Sequence, residues 1–256
     1  MKKIFALILM SLAVINITSC ISYHNHSYNR VFNPSSDSLY IQCKELKGLG
    51  QLHIGNTLKQ VENNFKQHSE KGWVHTSFIG GEWDVNDSHP FELIHYIEKN
   101  ATNIKQCYVY DYKIGEVSIG KVSCAFYKNA LVAISFDCSS EMLKQFISKY
   151  GDGKGFKSDI EKGFPWYYER LYKIYHYHEK NEKRIWSNEN VTMEYNSHSI
   201  NHKKFMSDEH IINWSSSCII TSNDDRYNKF LEELEMYKEQ YKKEKEAKRQ
   251  SSLNQL

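Results

Sequence analysis

Twelve histidines are spread over the 256 residues, and three pairs of them have spacings that could hold a metal ion. His24 with His26, and His176 with His178, alternate, so both members of each pair would point the same way from an extended strand. His198 and His202 would share one face of a helix. Imidazole holds a metal only as part of a ligand set. None of these pairs has a neighbouring cysteine, a third ligand at recognised spacing or a carboxylate cluster beside it. They read as surface and half-buried histidines, and no metal or other cofactor is expected.

Nucleophilic and phosphate chemistry fare no better. Ser215-Ser216-Ser217 lacks the flanking glycines of a nucleophile elbow. The stretch GDGKG (151–155) lacks the spacing of a phosphate-binding loop and follows an expected helix, so it reads as a helix stop and a loop. The chain is therefore expected to be non-enzymatic. Aromatic residues are more suggestive: FPWYYERLYKIYHYH (164–178) brings Trp166, Tyr167, Tyr168 and Tyr172 together. Alternate members would fill a core, and the others would form an interaction surface, because tyrosine and tryptophan are enriched where proteins recognise partners.

The first twenty residues carry an address. Lys2 and Lys3 precede the apolar run IFALILMSLAV (4–14), and Asn16, Thr18 and Ser19 lower the hydrophobicity just before Cys20. This is the profile of a signal peptide, 1–19. The run is too short to cross a bilayer, which takes roughly 20 apolar residues. Ile17-Thr18-Ser19-Cys20 resembles the lipobox of bacterial lipoproteins, with Ile17 and Thr18 in place of the commonest residues. The resemblance implies that Cys20 becomes the lipidated first residue of the mature chain. Several acyl chains on one residue would anchor a domain firmly to a membrane. Ile21 stands where an inner-membrane retention signal would place Asp, which favours the outer membrane of a cell envelope.

Composition narrows the partners. Formal charge is +2, and loss of Lys2 and Lys3 with the signal peptide leaves bases and acids equal, so no nucleic-acid partner is expected. The expected partners are the membrane, through Cys20, and an envelope protein. Aromatics make up 14%, with 18 tyrosines and only 3 prolines, which suits a compact strand-rich domain. Of the six cysteines, lipidation would use Cys20 and leave Cys43, Cys107, Cys124, Cys138 and Cys218. Five cannot all pair within one chain, and one bridge or none is expected.

Residues 20–38 are polar and rich in Asn and Ser, and read as a flexible tether. A helix is expected after Thr57, which has capping-box spacing to Gln60, with Leu58, Val61 and Phe65 on one face. GWVHTSFIGGEWDV (72–85) suggests two strands about Gly80-Gly81. The stretch 116–138 reads as a hairpin with Val122, Cys124 and Phe126 opposite Phe136, Ile134 and Val132. Its loop would be Lys128, Asn129 and Ala130, open to a one-residue adjustment because Ala130 would occupy the left-handed position. In that register Cys124 and Cys138 lie too far apart to bond. Ser139-Ser140 starts a second helix with Met142, Leu143, Phe146, Ile147 and Tyr150 on one side, stopping at Gly151. Strands are expected at 171–177, 183–187, 191–195 and 211–221.

The sum is an α+β fold of short helices packed on antiparallel sheet. It suggests two similar halves in a domain spanning 39–222, followed by a charged helical tail, 223–256. Phe230, Leu234, Tyr237 and Tyr241 give that tail a single apolar stripe, suited to docking on its own domain. Ile54, Gly55, Thr57 and Val61, with Phe126, Leu131 and Ile134, resemble the pattern of SmpA/OmlA outer-membrane lipoproteins and of β-lactamase-inhibitor-like domains, which implies a fold but no partner. The function expected is that of a membrane-anchored envelope lipoprotein serving binding or assembly, with an envelope enzyme or metal-binding protein as the alternative.

Overall fold

The computed structural model of the protein describes residues 26–32, 43–65, 74–75, 93, 96–97, 99–163, 174–204 and 209–253. In chain order the strands are β1 (His26–Phe32), β2 (Gly48–Leu49), β3 (Leu52–His53), β4 (Val74–His75), β5 (Ile104–Ile114) and β6 (Val117–Tyr127). They continue with β7 (Ala130–Asp137), β8 (Lys154–Gly163), β9 (Ile174–Ser187), β10 (Val191–Lys204) and β11 (Glu209–Ser222). The helices are α1 (Leu58–Phe65), α2 (Ser140–Tyr150) and α3 (Asp225–Leu253). The fold is α+β, dominated by antiparallel sheet.

The chain divides into two compact units. One gathers Met1–Phe32, Gly155–Lys183 and Asn196–Ser215; the other gathers Asn33–Lys154, Arg184–Tyr195 and Ser216–Leu256. They interleave along the chain instead of following one another as two halves.

In the second unit the hydrogen-bonded strand order is β9-β10-β11-β7-β6-β5-β4. The β6–β7 hairpin turns on two residues, Lys128 and Asn129, with φ of +48° and +66°, and Tyr127 pairs with Ala130. Two positive φ angles in a two-residue loop match the turn whose twist suits flanking strands. The expected three-residue loop is thereby shortened by one. Cys124 faces Ile134 and Val122 faces Phe136 as expected, but Phe126 faces Leu131. A register shift after Ala125 lets Leu131 join one core cluster and Val132 the other.

These clusters lie on opposite faces of β5–β7, as strand alternation requires. One collects Val61 and Phe65 of α1, Met142, Leu143, Phe146 and Tyr150 of α2, and Trp186 against Cys107, Cys124, Ile134 and Phe136. The other collects Leu93 and Ile97 with Phe230 and Leu234 of α3 against Ile104, Ala125 and Val132. The expected stripe on the tail is therefore its docking face. The hydroxyl of Tyr237 donates to Asn100 O (3.1 Å), that of Tyr96 donates to Glu244 Oε1 (2.7 Å), and the rings of Tyr96 and Tyr241 lie 5.5 Å apart.

Local signals set the helix ends. Thr57 N donates to Gln60 Oε1 (2.7 Å) and Gln60 N to Thr57 Oγ1 (3.2 Å), a reciprocal capping box. Ser139 Oγ accepts from Met142 N (3.2 Å), and Gly151, with φ +75°, closes α2 by donating to Ile147 O.

In the first unit the strand order is β1-β8-β9-β10-β11. β1 lies inside the segment expected to be a tether and pairs with β8 from His26–Glu161 to Phe32–Gly155. The polar run around 179–182, expected to separate two strands, is the middle of β9. Cross-strand charge pairing explains it. His178, Lys180 and Glu182 recur every second residue, so they share a face, where they meet Asp159 and Lys157 of β8. Only Val74–His75 of the strand pair expected about Gly80-Gly81 falls within the described residues.

Candidate functional site

A polar cleft of about 690 Å³ opens in the second unit where three turns meet. Its walls come from the segment 44–47 with the β2–β3 hairpin, from the entry to α1, and from the β9–β10 turn with the entry to α3. Short-range geometry builds each wall. The hairpin reverses at Gly50, whose φ of +57° favours glycine. A side chain there would also lie 2.5 Å from the hydroxyl of Tyr112. That hydroxyl donates to Leu49 O (2.8 Å) and accepts from Gln51 N (3.0 Å), clamping the hairpin to β5. Burial pushes the Tyr112 hydroxyl above its ordinary range.

Asn188 closes the opposite wall. Its Oδ1 accepts from the amides of Asn190 and Val191, both at 2.9 Å, while Nδ2 donates to Cys43 O (2.9 Å) and Leu46 O (2.8 Å). Asn223 Nδ2 donates to Asn188 O (2.7 Å), and Asn223 Oδ1 accepts from Thr192 Oγ1 (2.7 Å). At the entry to α1, the chain pairs with β7 through Gly55 N to Leu131 O and Leu131 N to Asn56 O, each 2.7 Å.

At the entry to α1 the local bonds use side-chain oxygens. Asn56 Oδ1 accepts from His53 N (2.8 Å) and Gln60 Oε1 is taken by the capping box, and among the described residues Asn56 Nδ2 and Gln60 Nε2 have no hydrogen-bond partner. Among the described residues neither Lys44 nor Lys47 is ion-paired. Arg226 is: its Nε and Nη2 reach Asp224 Oδ2 at 2.7 and 2.5 Å. The side-chain hydrogen bond from Arg226 holds the Asp224 carboxyl down to about 2. The α1 N-terminus adds partial positive charge, since its first turn carries no acid. With Asp224 paired to Arg226 and Glu189 bonded to Asn190 Nδ2 (3.3 Å), Lys44 and Lys47 leave the lining with one net positive charge, and the cleft offers ammonium and amide donors suited to an oxygen-rich anion.

A second hollow, of about 430 Å³, lies beside Gly50, Phe65 and the irregular stretch of β5 at Asp111. Asp111 has φ +51°, and the β5–β6 register shifts between Val109 and Lys113.

The residues singled out from sequence fall elsewhere. Cys20 and the aromatic set Trp166, Tyr167, Tyr168 and Tyr172 lie outside the described residues, as does His24. His26 is on β1 and His176 on β9. His178 Nδ1 stands 3.1 Å from Asp159 Oδ1. His198 and His202, expected on a helix face, are on strand β10, where His198 Nδ1 meets Asn181 Oδ1 at 2.7 Å. Among the described residues no three His, Cys, Asp or Glu side chains converge as a metal site. The five described cysteines are all buried, and none is bonded to another in the structure.

Sequence reading missed Asn188, Asn223, Lys44 and Lys47. The run Ser187-Asn188-Glu189-Asn190 is a turn signal that could have marked the first. Nothing in the sequence distinguishes the two lysines from other solvated bases. No protein-family model, no curated protein and no solved structure matches this chain.

Proposed function

We propose that this protein is a lipid-anchored lipoprotein of the bacterial cell envelope whose folded part binds an anionic, hydroxyl-rich ligand without transforming it. The charged start, short apolar run and ITSC sequence support export and acylation at Cys20. The anchor would hold the folded part at an outer membrane, where phosphorylated and carboxylated glycans are abundant partners for a basic, amide-lined cleft. The observation that carries the binding reading is that Lys44 and Lys47, neither of them ion-paired among the described residues, line one cleft with Asn56 and Gln60, whose side-chain oxygens are already taken.

The test uses the full chain carrying Cys20→Ala, titrated with phosphorylated or carboxylated envelope oligosaccharides and with neutral ones of equal size. Saturable binding of the charged set, weakened at least about tenfold by joint Lys44→Glu and Lys47→Glu replacement, is the expected result; this corresponds to about 1.4 kcal/mol or more. Equal binding of neutral glycans, or binding untouched by those replacements, overturns the reading of the cleft. Turnover of the bound glycan would establish the enzyme instead. The anchor is tested separately by labelled fatty-acid incorporation into wild type and Cys20→Ala.

A further inference from the structure

Cys107 and Cys124 are direct partners across the antiparallel β5–β6 ladder, and both are fully buried. Directly opposed residues in such a ladder have Cα atoms about 4.5 or 5.5 Å apart, depending on the kind of rung. Both values lie inside the range of about 4.4–6.8 Å that a disulfide spans. The other close pair does not compete. Cys218 is opposite Phe136, so Cys138 is its diagonal neighbour, at a Cα separation of roughly 7–8 Å. Cys43 is far off in sequence, at the start of the β2–β3 segment.

We propose that Cys107 and Cys124 form a cross-strand disulfide in the exported protein; the cellular part of this rests on the export reading above. As rung partners their side chains leave the same face of the sheet. The hydrogen bond from Cys107 and burial both raise Cys124 well above an ordinary thiol. A thiol held protonated is a poor nucleophile, so exchange belongs to the time before α1 covers this face of the hairpin. In that exchange the thiolate of one cysteine attacks a sulfur of an external disulfide, such as glutathione disulfide or an oxidised dithiol oxidoreductase, and expels the other half as a thiolate. The second cysteine loses its proton and displaces the half still attached. One S–S bond forms and one breaks, two protons leave, and two electrons reduce the external disulfide to two thiols.

Two arms test it. In the first, the full chain carrying Cys20→Ala is unfolded and reduced, refolded with glutathione disulfide and glutathione, quenched in acid, alkylated in denaturant and mapped by mass spectrometry. A Cys107–Cys124 linked peptide with Cys43, Cys138 and Cys218 alkylated is expected. The thermal midpoint should lie roughly 5–10 °C above that of the same protein refolded in dithiothreitol. Alkylation of both Cys107 and Cys124, or a bridge elsewhere, overturns the proposal. With Cys107→Ala, Cys124 should be alkylated and no new bridge should appear. The second arm maps the protein recovered from its own cells. Membrane-associated, fatty-acid-labelled protein with both thiols alkylated overturns the disulfide and leaves the anchor standing. Unlabelled protein recovered from the cytoplasm overturns the export reading and the in-cell disulfide with it.

Discussion

The side-chain nitrogen of Asn188 donates a 2.8 Å hydrogen bond to the carbonyl oxygen of Leu46, 142 residues earlier in the chain. The same amide holds Cys43 O and, through Oδ1, two backbone amides of its own turn. One side chain therefore satisfies four backbone groups and fixes one wall of the cleft.

Replacing Asn188 by Ala should destabilise the second unit by about 3 kcal/mol, since several partly buried backbone groups lose their partners together. Asn188→Asp keeps the acceptor for the turn but sets a carboxylate against two carbonyl oxygens, so it should cost at least as much. Urea unfolding monitored by tryptophan fluorescence measures both. An Asp variant as stable as wild type would show that the Cys43 and Leu46 bonds contribute little.

Gly50 and Tyr112 should be coupled. Gly50→Ala imposes a left-handed residue and a close approach to the Tyr112 hydroxyl, for a cost of about 2 kcal/mol. In a Tyr112→Phe background the close approach is gone, and the same replacement should cost measurably less. A double-mutant cycle reads the difference, and strict additivity would remove the clamp from the account.

The tail should behave as two parts. Phe230 is fully buried, and Phe230→Ala should cost about 3–5 kcal/mol by leaving a cavity beneath α3. Truncation after Gln240 removes a largely exposed stretch together with the Tyr241 and Glu244 contacts to Tyr96. It should cost no more than about 1 kcal/mol. Thermal unfolding of the two variants compares them, and similar losses would contradict the packing seen here.

Two groups give opposite pH signatures. The folded-state value of Asp224, about 2, lies below its ordinary 3.8, so its contribution is present above about pH 4 and is lost as pH falls toward 2. Asp224 is half exposed, so the effect should be small, and it should vanish in Arg226→Gln. Burial raises the Cys138 thiol to about 12 from 9.0, so the stability it preserves is complete below pH 9 and falls as pH rises toward 12. Stability measured from pH 2 to 11 in wild type, Arg226→Gln and Cys138→Ala checks both. A Cys138→Ala profile that declines above pH 9 as steeply as wild type would exclude the thiol as the cause.

Much of the local structure was legible in residue order. The capping box of α1, the serine cap of α2, their apolar faces, the stop at Gly151 and the Val122–Phe136 and Cys124–Ile134 pairs of the β6–β7 hairpin depend on neighbours within a turn or along a strand. The sequence alone carries their full physical cause. Beyond the loop expected at 151–155, β8 carries no strand signal in the sequence, and the centre of β9 reads as a turn, because polar residues conceal strand periodicity when they pair across a solvated face. Asp159 meets His178 and Lys180 only once two distant segments lie side by side.

What the sequence by itself determined is the class of fold, the periodicity that builds its helices and central hairpin, and the expectation of an anchor at Cys20. Tertiary structure alone decided that β1 occupies the supposed tether, that the chain divides into interleaved units, and that Cys107 and Cys124 share a rung. It also placed Lys44 and Lys47 in one cleft with Asn56, Gln60 and Asn188. The physical reason is range: caps and amphipathic faces arise from contacts a few residues apart. Rung partners and cleft walls arise from segments tens to hundreds of residues apart, whose pairing depends on the whole sheet.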